Sequence, residues 1–424
     1  MRYEYFSDMS RTRNAAVNGA LVISSILVSV GLLEVGLRLV DNSAEPKPPG
    51  HHALCCEYHP TLGWRHKPNT NIEIVRSEYR ITESFNSRGV RGPEYTLAKR
   101  PGEYRIVVVG DSFAEGITVG FDQLFSEVMK RRLNASGDSR FQVINMGVAG
   151  YSTDQQLLQF RMEGRDYQPD VTVLLVYDND IWFNAQARYT MMGRGNKPMF
   201  LMDGDELRRA NDPVPRGTLS GGTKRSKGLP SNVGFTGING VKRLLGEQSH
   251  AYRWVRERIR NTASLNSLFV FVGLMNQHEN RRIPVAYGIY ERSYSPETEY
   301  AWSMTRALIA ELKREVESTG SRFVLAHAPF KATIHDEDWV QFKRNYGVTD
   351  ALWSPYRVNQ ELAGIAAELK IDFLNPVEAL RGAANEKRVY FAQDTHWNEH
   401  GNRVVGEVLA EHIGRLAAVE LQAE

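Results

Sequence analysis

Four segments that lie far apart in the chain carry residue types that serve in acyl transfer. Ser112, within Gly110-Asp111-Ser112-Phe113, is a candidate nucleophile, and Asp394-Thr395-His396 supplies a carboxylate and an imidazole. Gly150 and Asn179 stand in two further polar loops and are candidate donors to an oxyanion. Serine is almost un-ionised at neutral pH, so its attack needs a base that accepts the proton. Acyl transfer requires this set of groups at one site.

The elements that must position these residues are short apolar runs that alternate with helical stretches. Near-continuous, β-rich apolar runs are typical of a parallel sheet covered on both faces, and ligands bind beyond the carboxyl ends of its strands. We predict an α/β domain with a three-layer, doubly wound (flavodoxin-like) sheet of about five parallel strands. The strand candidates are Ile106–Val109, Phe141–Asn145, Val171–Tyr177, Phe323–Ala326 and Ile371–Leu374. The helix candidates are Phe121–Leu133, Thr153–Gly164, Tyr300–Thr319, Pro355–Leu369 and Gly401–Ala417.

Each candidate residue also has an interpretation that involves no chemistry. A Gly-Asp-Ser segment serves as a tight turn whose serine caps a helix. Asn179 is suited to satisfying backbone groups in a turn, and Gly150 to providing a positive φ. His396 is one of eleven histidines and would fit a packed core. Their joint placement favours the catalytic interpretation, because all of them follow predicted strands and so meet at one sheet edge.

The order of these blocks resembles that of the SGNH (GDSL-type) hydrolase family. The resemblance implies that Ser112 is the nucleophile and that His396 is its base, with Asp394 holding the imidazole. It also implies an oxyanion hole formed by the backbone N–H groups of Ser112 and Gly150 and by the side-chain amide of Asn179. We therefore expect an acyl-serine mechanism.

The resemblance covers Arg105–Gly414, with a long insertion between the third and fourth strands, and two details depart from the usual pattern. Asp178 stands where the family has glycine, and one residue instead of two separates the catalytic Asp and His. The shorter spacing resembles enzymes that O-acetylate exopolysaccharides such as alginate, and membrane-anchored hydrolases with Asp-Thr-His-Trp-Asn. Gly63-Trp64-Arg65 and Asn86–Gly92 are similar to the lead-in of such anchored proteins.

Composition excludes several classes of function. Lys and Arg total 52 against 50 Asp and Glu, so the net charge of +2 gives no sign of a nucleic-acid binder. The only cysteines are Cys55 and Cys56, which rules out a disulfide scaffold and a Cys-rich metal site. We expect two packed or free thiols there, and neither a cofactor nor a metal.

The N-terminal region predicts a membrane anchor. Asn14–Leu33 carries no charge and is long enough to cross a bilayer, and Arg11 and Arg13 precede it. The positive-inside rule puts the N-terminus in the cytoplasm and the rest outside, in the periplasm if the source is Gram-negative. A cleavable signal peptide is the alternative. The predicted divisions are a cytoplasmic tail at 1–13, an anchor at 14–40, a linker and lead-in at 41–104, and the α/β domain at 105–418.

The insertion, at about 188–282, offers a hint about substrate. It holds 17 Lys and Arg against 7 Asp and Glu. A basic rim would attract an acidic polysaccharide or anionic lipid headgroups, and a solvated helical face is the alternative. Gly217–Gly240 reads as a loop that could serve as a lid. An apolar acyl pocket near Phe269–Leu274 would favour a lipid substrate.

These observations together predict a serine esterase that acts on O-acetyl groups of cell-envelope or exported polysaccharide. A polysaccharide O-acetyltransferase of the same clan is one alternative, and it would need a membrane acyl-export partner. A lipid esterase and a non-catalytic carbohydrate-binding assembly factor are the others. A pure binding protein has no need of Ser112, so an intact triad favours an enzyme.

Overall fold

The structure is a computed structural model that describes residues 50–135, 137, 140–190, 195–204, 206–217, 249 and 283–421, with parts of 17–38. The chain divides into two units, Met1–Pro48 with Arg225–Arg282, and Pro49–Lys224 with Ile283–Glu424. The second unit contains every candidate site residue. Part of the predicted anchor and the insertion from 218 to 282, apart from 249, lie outside the described residues. Within the described part of the chain, no helix is long and apolar enough to cross a membrane.

The described elements of the second unit are strands of 3 to 7 residues and α-helices of 4 to 23 residues. The strands are β1 Cys56–His59, β2 Gly63–His66, β3 Thr70–Val75, β4 Arg80–Phe85, β5 Tyr104–Gly110, β6 Phe141–Asn145, β7 Val171–Tyr177, β8 Phe200–Asp203, β9 Glu206–Arg209, β10 Arg322–Ala328 and β11 Asp372–Leu374. The α-helices are α1 His51–Cys55, α2 Ser112–Glu115, α3 Phe125–Leu133, α4 Thr153–Met162, α5 Asp178–Phe183, α6 Pro296–Ser318, α7 Lys331–Ile334, α8 Asp336–Tyr346, α9 Arg357–Leu369, α10 Val377–Ala384 and α11 Glu399–Leu421.

One parallel sheet of five strands positions the site. Its order is β11-β10-β7-β5-β6, and every neighbouring pair is parallel. The predicted α/β fold with five parallel strands is confirmed. The chain passes from β5 outward to β6 and then returns to β7 on the other side of β5. This reversal creates a crevice at the carboxyl ends of β5 and β7, where open α/β sheets bind ligands.

Two separate cores cover the faces of this sheet. Ile106 and Val108 of β5 pack in one core with side chains of α3, α10 and α11. Val107 and Val109, which point to the opposite face, pack in the other core with α4, α6 and α9. Burial of each such side chain stabilises the fold by about 1.5–3 kcal/mol. The alternation along β5 therefore produces three layers and a sheet edge of fixed geometry.

Helix boundaries differ from the predictions where capping decides them. α6 begins at Pro296 rather than Tyr300, because Ser295 caps it by accepting a hydrogen bond from the backbone N–H of Thr298. The predicted helix Phe121–Leu133 is broken at Leu124, where the backbone is extended between a 3₁₀ turn and α3. α6 ends at Ser318, and Gly320, two residues further on, has a φ of +82°, which does not continue a helix.

The lead-in segment folds as two antiparallel hairpins, β1–β2 and β3–β4. Its buried side chains, including Trp64 and Phe85, belong to the same core as Val107 and Val109 of the central sheet. The segment is therefore packed onto the α/β domain and is able to contribute to the site.

Candidate active site

A tight turn from β5 into α2 presents Ser112. Asp111 caps the helix, since its Oδ1 accepts a hydrogen bond of 2.9 Å from the backbone N–H of Phe113. Gly110 is required here, because a Cβ at this position would lie 2.9 Å from the carbonyl oxygen of Leu175 and 2.7 Å from Cβ of Ala114. The turn places the serine hydroxyl at the carboxyl end of β5, beside the crevice where the fold predicts a ligand.

Three side chains from the two ends of the domain form a chain of hydrogen bonds. Oγ of Ser112 lies 2.7 Å from Nε2 of His396, and Nδ1 of His396 lies 2.6 Å from Oδ1 of Asp394. An ionised carboxylate only accepts, so Nδ1 carries the hydrogen and Nε2 is free to accept the proton of Ser112. The single residue between Asp394 and His396 does not prevent this contact. The arrangement can activate a serine nucleophile.

Asp394 is held in its ionised form by its surroundings. Burial would raise the pKa of this carboxyl group, but hydrogen bonds and the charge of His396 outweigh burial and lower the pKa to about 2. The backbone N–H of His396 donates to Oδ1 at 3.0 Å, and the hydroxyl of Tyr79 donates to Oδ2 at 3.1 Å. Burial and the Asp394 charge raise the pKa of Tyr79, so this phenol keeps its proton. Asp394 thus remains a carboxylate that orients His396.

Sequence reasoning missed the role of the turn between β3 and β4. Glu78, next to Tyr79 in this turn, accepts hydrogen bonds from the backbone N–H groups of Ala392, Gln393 and Asp394, at 2.8 to 3.1 Å. The lead-in hairpin therefore holds both the backbone at positions 392–394 and the side chain of Asp394. The only sequence feature that could have indicated this role is the pair Glu78-Tyr79 in a turn. Its position in the sequence, more than 300 residues before Asp394, gives no sign that the two segments are in contact.

The loop after β6 presents the backbone N–H of Gly150. A turn closes with the N–H of Tyr151 donating to the carbonyl of Val148 at 3.0 Å, and Gly150 has a φ of +80°, which favours glycine. Glu115 of α2 accepts from the N–H of Ala149 at 2.5 Å. This contact links the loop to the helix that begins with Ser112. The two candidate oxyanion donors, the N–H groups of Ser112 and Gly150, therefore belong to segments that are bonded to each other.

Lead-in residue Trp64 also holds the loop after β6. Its backbone carbonyl accepts a hydrogen bond of 2.5 Å from the hydroxyl of Tyr151, and its indole N–H donates to the carbonyl of Ala149 at 3.4 Å. Gly150 lies between the two residues that Trp64 contacts. Its N–H is therefore fixed from both sides.

Asn179 is the second residue of helix α5, which directly follows β7, the strand next to β5. Its Nδ2 lies 3.3 Å from the hydroxyl of Tyr189, and its buried Oδ1 makes no hydrogen bond to any described residue. No hydrogen bond among the described residues joins Asn179 or Gly150 to Ser112. The structure thus brings Ser112, His396 and Asp394 into contact and places the other two at the same sheet edge. Oxyanion donors point at an atom that only substrate supplies.

Asp178, which departs from the family pattern, is bound by two other side chains and is not a free carboxylate beside Asn179. Its Oδ1 lies 2.7 Å from Nε2 of His327 on β10, and its Oδ2 accepts a hydrogen bond of 2.8 Å from Tyr290. Both His327 and Asp178 are almost fully buried. The carboxylate at this position is thus compensated within the protein.

Comparison with known proteins identifies a family for part of this chain. Residues 290–424 match the family model described as SGNH hydrolase-like domain, acetyltransferase AlgX. The probable alginate O-acetylase AlgJ of Pseudomonas putida is 28% identical over 109 residues, which are 26% of this chain and 26% of that protein. The match therefore spans about a quarter of the length of this curated relative.

The solved structures that match this chain are distant in sequence. A catalytic mutant of an acetylxylan esterase from Geobacillus stearothermophilus is 11% identical, with 75% of this chain and 97% of that chain covered and a TM-score of 0.37. A GDSL-like lipase from Bacteroides thetaiotaomicron is 13% identical, with 75% and 92% covered and a TM-score of 0.34. Likenesses of this size carry no argument about substrate.

The match supports the resemblance to SGNH hydrolases that the motifs predict, in the group related to polysaccharide O-acetyl enzymes. The matched segment includes Asp394 and His396, whereas Ser112, Gly150 and Asn179 lie outside it. The roles of the individual residues therefore rest on their geometry.

Proposed function

We propose that the protein is a serine-dependent esterase that acts on O-acetyl groups of cell-envelope or exported polysaccharide. The observation that carries the proposal is the hydrogen-bonded chain from Ser112 through His396 to Asp394 at the carboxyl edge of the sheet. The similarity to O-acetyl enzymes supports acetyl as the acyl group and polysaccharide as the class of substrate.

In the proposed mechanism His396 accepts a proton and then donates it, once during acylation of Ser112 and once during deacylation. Nε2 of His396 accepts the proton of Ser112 as Oγ attacks the ester carbonyl, and Asp394 stabilises the imidazolium. The N–H groups of Ser112 and Gly150 and the amide of Asn179 stabilise the oxyanion, and one such donor contributes about 2.7–4 kcal/mol in another serine enzyme. The imidazolium then protonates the departing alkoxide, and an acyl-Ser112 intermediate remains. His396 next deprotonates the acceptor that attacks this intermediate, and it returns that proton to Oγ of Ser112 as the bond between Oγ and the acyl group breaks.

The acceptor decides between esterase and transferase. Water as acceptor releases acetate, whereas a sugar hydroxyl gives an O-acetylated product through the same acyl-Ser112. The second candidate function is thus a polysaccharide O-acetyltransferase, and the descriptions of the family model and of the curated relative both favour it. A transferase would need a membrane partner that exports acyl groups.

The proposed location is the outer side of a membrane, with the N-terminal segment as a single-pass anchor. The uncharged run Asn14–Leu33, preceded by Arg11 and Arg13, supports this location. The excess of basic residues between 188 and 282 supports an acidic polysaccharide as substrate.

The proposed function is tested with the full chain in detergent and p-nitrophenyl acetate as donor. We expect turnover that is lost in Ser112→Ala and retained in Ser321→Ala. Ser321 is a suitable control because its hydroxyl is buried at the amino end of β10, where it contacts Thr172 of β7. Acetylation of an added acidic oligosaccharide would identify a transferase, and acetate release alone an esterase. Equal activity in wild type and Ser112→Ala would contradict both.

A further inference from the structure

One buried carboxylate joins the lead-in segment to the loop that carries Gly150. Glu115 is the last residue of α2, and its side chain is almost fully buried. Its Oε2 accepts a hydrogen bond of 2.5 Å from the backbone N–H of Ala149. The helix that begins with the candidate nucleophile therefore ends in a side chain that contacts the residue just before the candidate oxyanion donor.

The peptide unit between Ala149 and Gly150 is held from two sides. A peptide group is planar, so the carbonyl of Ala149 sets the direction of the Gly150 N–H in the same plane. The indole N–H of Trp64 donates to that carbonyl at 3.4 Å, while Glu115 holds the N–H of Ala149. Glu115 therefore fixes the start of the unit whose N–H is expected to meet the oxyanion.

The base of the same loop is fixed by close backbone approach. A Cβ on Gly147 would lie 2.3 Å from the backbone nitrogen of Glu115, so only glycine fits there. The N–H of Val148 donates to the carbonyl of Gly110 at 3.1 Å. These contacts end at Val148, and the next residue, Ala149, is held by the side chains of Glu115 and Trp64.

Two imidazolium groups surround the carboxylate. Nε2 of His66 lies 3.2 Å from Oε2 of Glu115, and its Nδ1 lies 3.0 Å from the carbonyl oxygen of Gly89. Both ring nitrogens face oxygen acceptors, so both carry hydrogens and the ring is charged. Nε2 of His51 lies 3.2 Å from Oε1 of Glu115 and 2.8 Å from Oε2 of Glu83. Glu115 thus receives a charged partner at each of its two oxygens.

These groups keep one another charged despite their burial. Burial alone would lower the pKa of His51, but Glu115 and Glu83 outweigh burial and raise the pKa to about 10. Burial alone would raise the pKa of Glu115, but the charges and hydrogen bonds of His66 and His51 hold it well below its usual range. Glu115 is therefore an ionised acceptor at neutral pH.

A third cation from the lead-in segment fixes the backbone of Glu115. The guanidinium of Arg91 donates to the backbone carbonyls of Glu115, Gly116 and Val119, at 2.7 to 2.8 Å. Arg91 holds the main chain at the end of α2, and the two histidines hold the side chain. The carboxylate is therefore a rigid anchor for the N–H of Ala149.

We propose that Glu115 is a positioning residue of the oxyanion hole, through which the lead-in segment acts on catalysis. This inference rests on the proposed function, because it takes the N–H of Gly150 as an oxyanion donor. The two oxygens of a carboxylate have room for three donors, the N–H groups of Ala149, His51 and His66. A glutamine offers one acceptor oxygen and adds two donors, so it cannot satisfy the same set. Its presence should release Ala149 and let Gly150 move.

The first test compares the two carboxylates of this cluster in the full chain, with p-nitrophenyl acetate as substrate. Glu115→Gln should lower kcat by about 10–10²-fold with little change in KM, because a displaced donor weakens stabilisation of the transition state alone. Glu83→Gln is the matched control and should keep kcat within about threefold. Glu83 pairs with the same His51, but its described contacts do not include the loop after β6.

Active-site labelling separates lost chemistry from lost folding. Each kcat is divided by the fraction of chains that a fluorophosphonate labels on complete reaction, so unfolded chains do not count. A merely structural role would lower the labelled fraction and leave the corrected kcat unchanged. Equal losses of corrected kcat in Glu115→Gln and Glu83→Gln would assign the effect to the whole cluster and overturn the proposal.

A second readout does not depend on turnover. Hydrogen exchange followed by mass spectrometry should be faster by about tenfold in the peptide that spans 146–151 in Glu115→Gln, and unchanged in Glu83→Gln. Glu115→Asp keeps the charge between the histidines but is one carbon shorter. It should fold, lose the contact with Ala149, and change exchange and kcat in the same direction as Glu115→Gln.

Unchanged corrected kcat in either folded Glu115 variant would overturn the proposal. Failure of both Glu115 variants to fold would assign the residue to the fold alone and would also overturn it. Equal turnover in wild type and Ser112→Ala would contradict the proposed function instead. In that case faster exchange at 146–151 would still support Glu115 as the anchor of the loop, and unchanged exchange would refute it.

Discussion

Two Asp–His pairs lie at the same edge of the sheet, and only one of them is arranged for catalysis. In the pair after β11, His396 bonds Asp394 through Nδ1 and meets the hydroxyl of Ser112 through Nε2. In the pair formed by β7 and β10, His327 bonds Asp178 through Nε2, and its Nδ1 lies 3.3 Å from the amide of Asn359.

The difference shows that a carboxylate and an imidazole do not by themselves make a base. The remaining nitrogen of the ring must face a hydroxyl that can lose its proton, and the remaining nitrogen of His327 faces an amide instead. The second pair explains how an aspartate is tolerated where the family has glycine, because His327 and Tyr290 compensate its charge. We interpret the first pair as catalytic and the second as structural.

The largest effect is expected from the nucleophile and base. Ser112→Ala and His396→Ala should each lower kcat by about 10⁴–10⁶-fold, as removal of either member does in other serine hydrolases. His327→Gln serves as the control from the second pair and should retain activity within about tenfold. Steady-state kinetics with p-nitrophenyl acetate measure all three. Similar losses in both histidine variants would remove the distinction between the pairs.

Replacement of the two aspartates sharpens the comparison. Asp394→Asn should lower kcat by about 10⁴-fold, because the amide favours the wrong tautomer of His396. Asp178→Asn should leave kcat nearly unchanged, since Asp178 contacts no reacting group. The kinetics should be accompanied by circular dichroism, so that misfolding is distinguished from lost chemistry. A larger loss in folded Asp178→Asn than in Asp394→Asn would reverse the assignment.

The oxyanion role of Asn179 predicts an intermediate effect. Asn179→Ala should lower kcat by about 10²–10³-fold with little change in KM, because the amide acts on charge that develops in the transition state. Asn359→Ala, which removes the amide beside His327, is the matched variant and should have little effect on kcat. An unchanged kcat in Asn179→Ala would exclude the side chain from the oxyanion hole.

Tyr79 should have a smaller effect that depends on pH. The pKa of Asp394 is about 2 in the fold against an ordinary 3.8, so the stabilisation is complete above pH 4 and is lost as pH falls toward 2. Tyr79→Phe removes a hydrogen bond that lowers this pKa, so the variant should be less stable above pH 4, and its loss of stability on acidification should be smaller and complete at a higher pH. Urea unfolding at several pH values measures the shift, and superimposable profiles would contradict it.

The smallest effect on activity and the largest on stability are expected at the second pair. His327→Ala leaves Asp178 buried with only Tyr290 as partner and should lower the free energy of unfolding by about 3 kcal/mol. Chemical denaturation gives this value, and His400→Ala at the half-buried start of α11 is a suitable control. A stability loss below that of the control would show that the pair contributes nothing to the fold.

The sequence predicts the sheet and the residues at its edge, but not the contacts that reach the site from the lead-in. Apolar periodicity identifies the five strands, and strand order then places Ser112 and Asn179 side by side. Periodicity says nothing of Glu78 and Tyr79, because the turn of a short hairpin contacts a loop more than 300 positions away. The partners of Asp178 were hidden for the same reason, since His327 and Tyr290 lie beyond the insertion. The catalytic roles themselves remain predictions.

The most direct test of the account is to locate the acyl group on the protein. The full chain is mixed briefly with p-nitrophenyl acetate, quenched in acid and digested, and the acetylated peptide is identified by mass spectrometry. The account predicts one acetyl group on the peptide that contains Ser112, absent in Ser112→Ala and long-lived in His396→Ala if any forms. Turnover with no adduct on Ser112, or with the adduct on another residue, would contradict it.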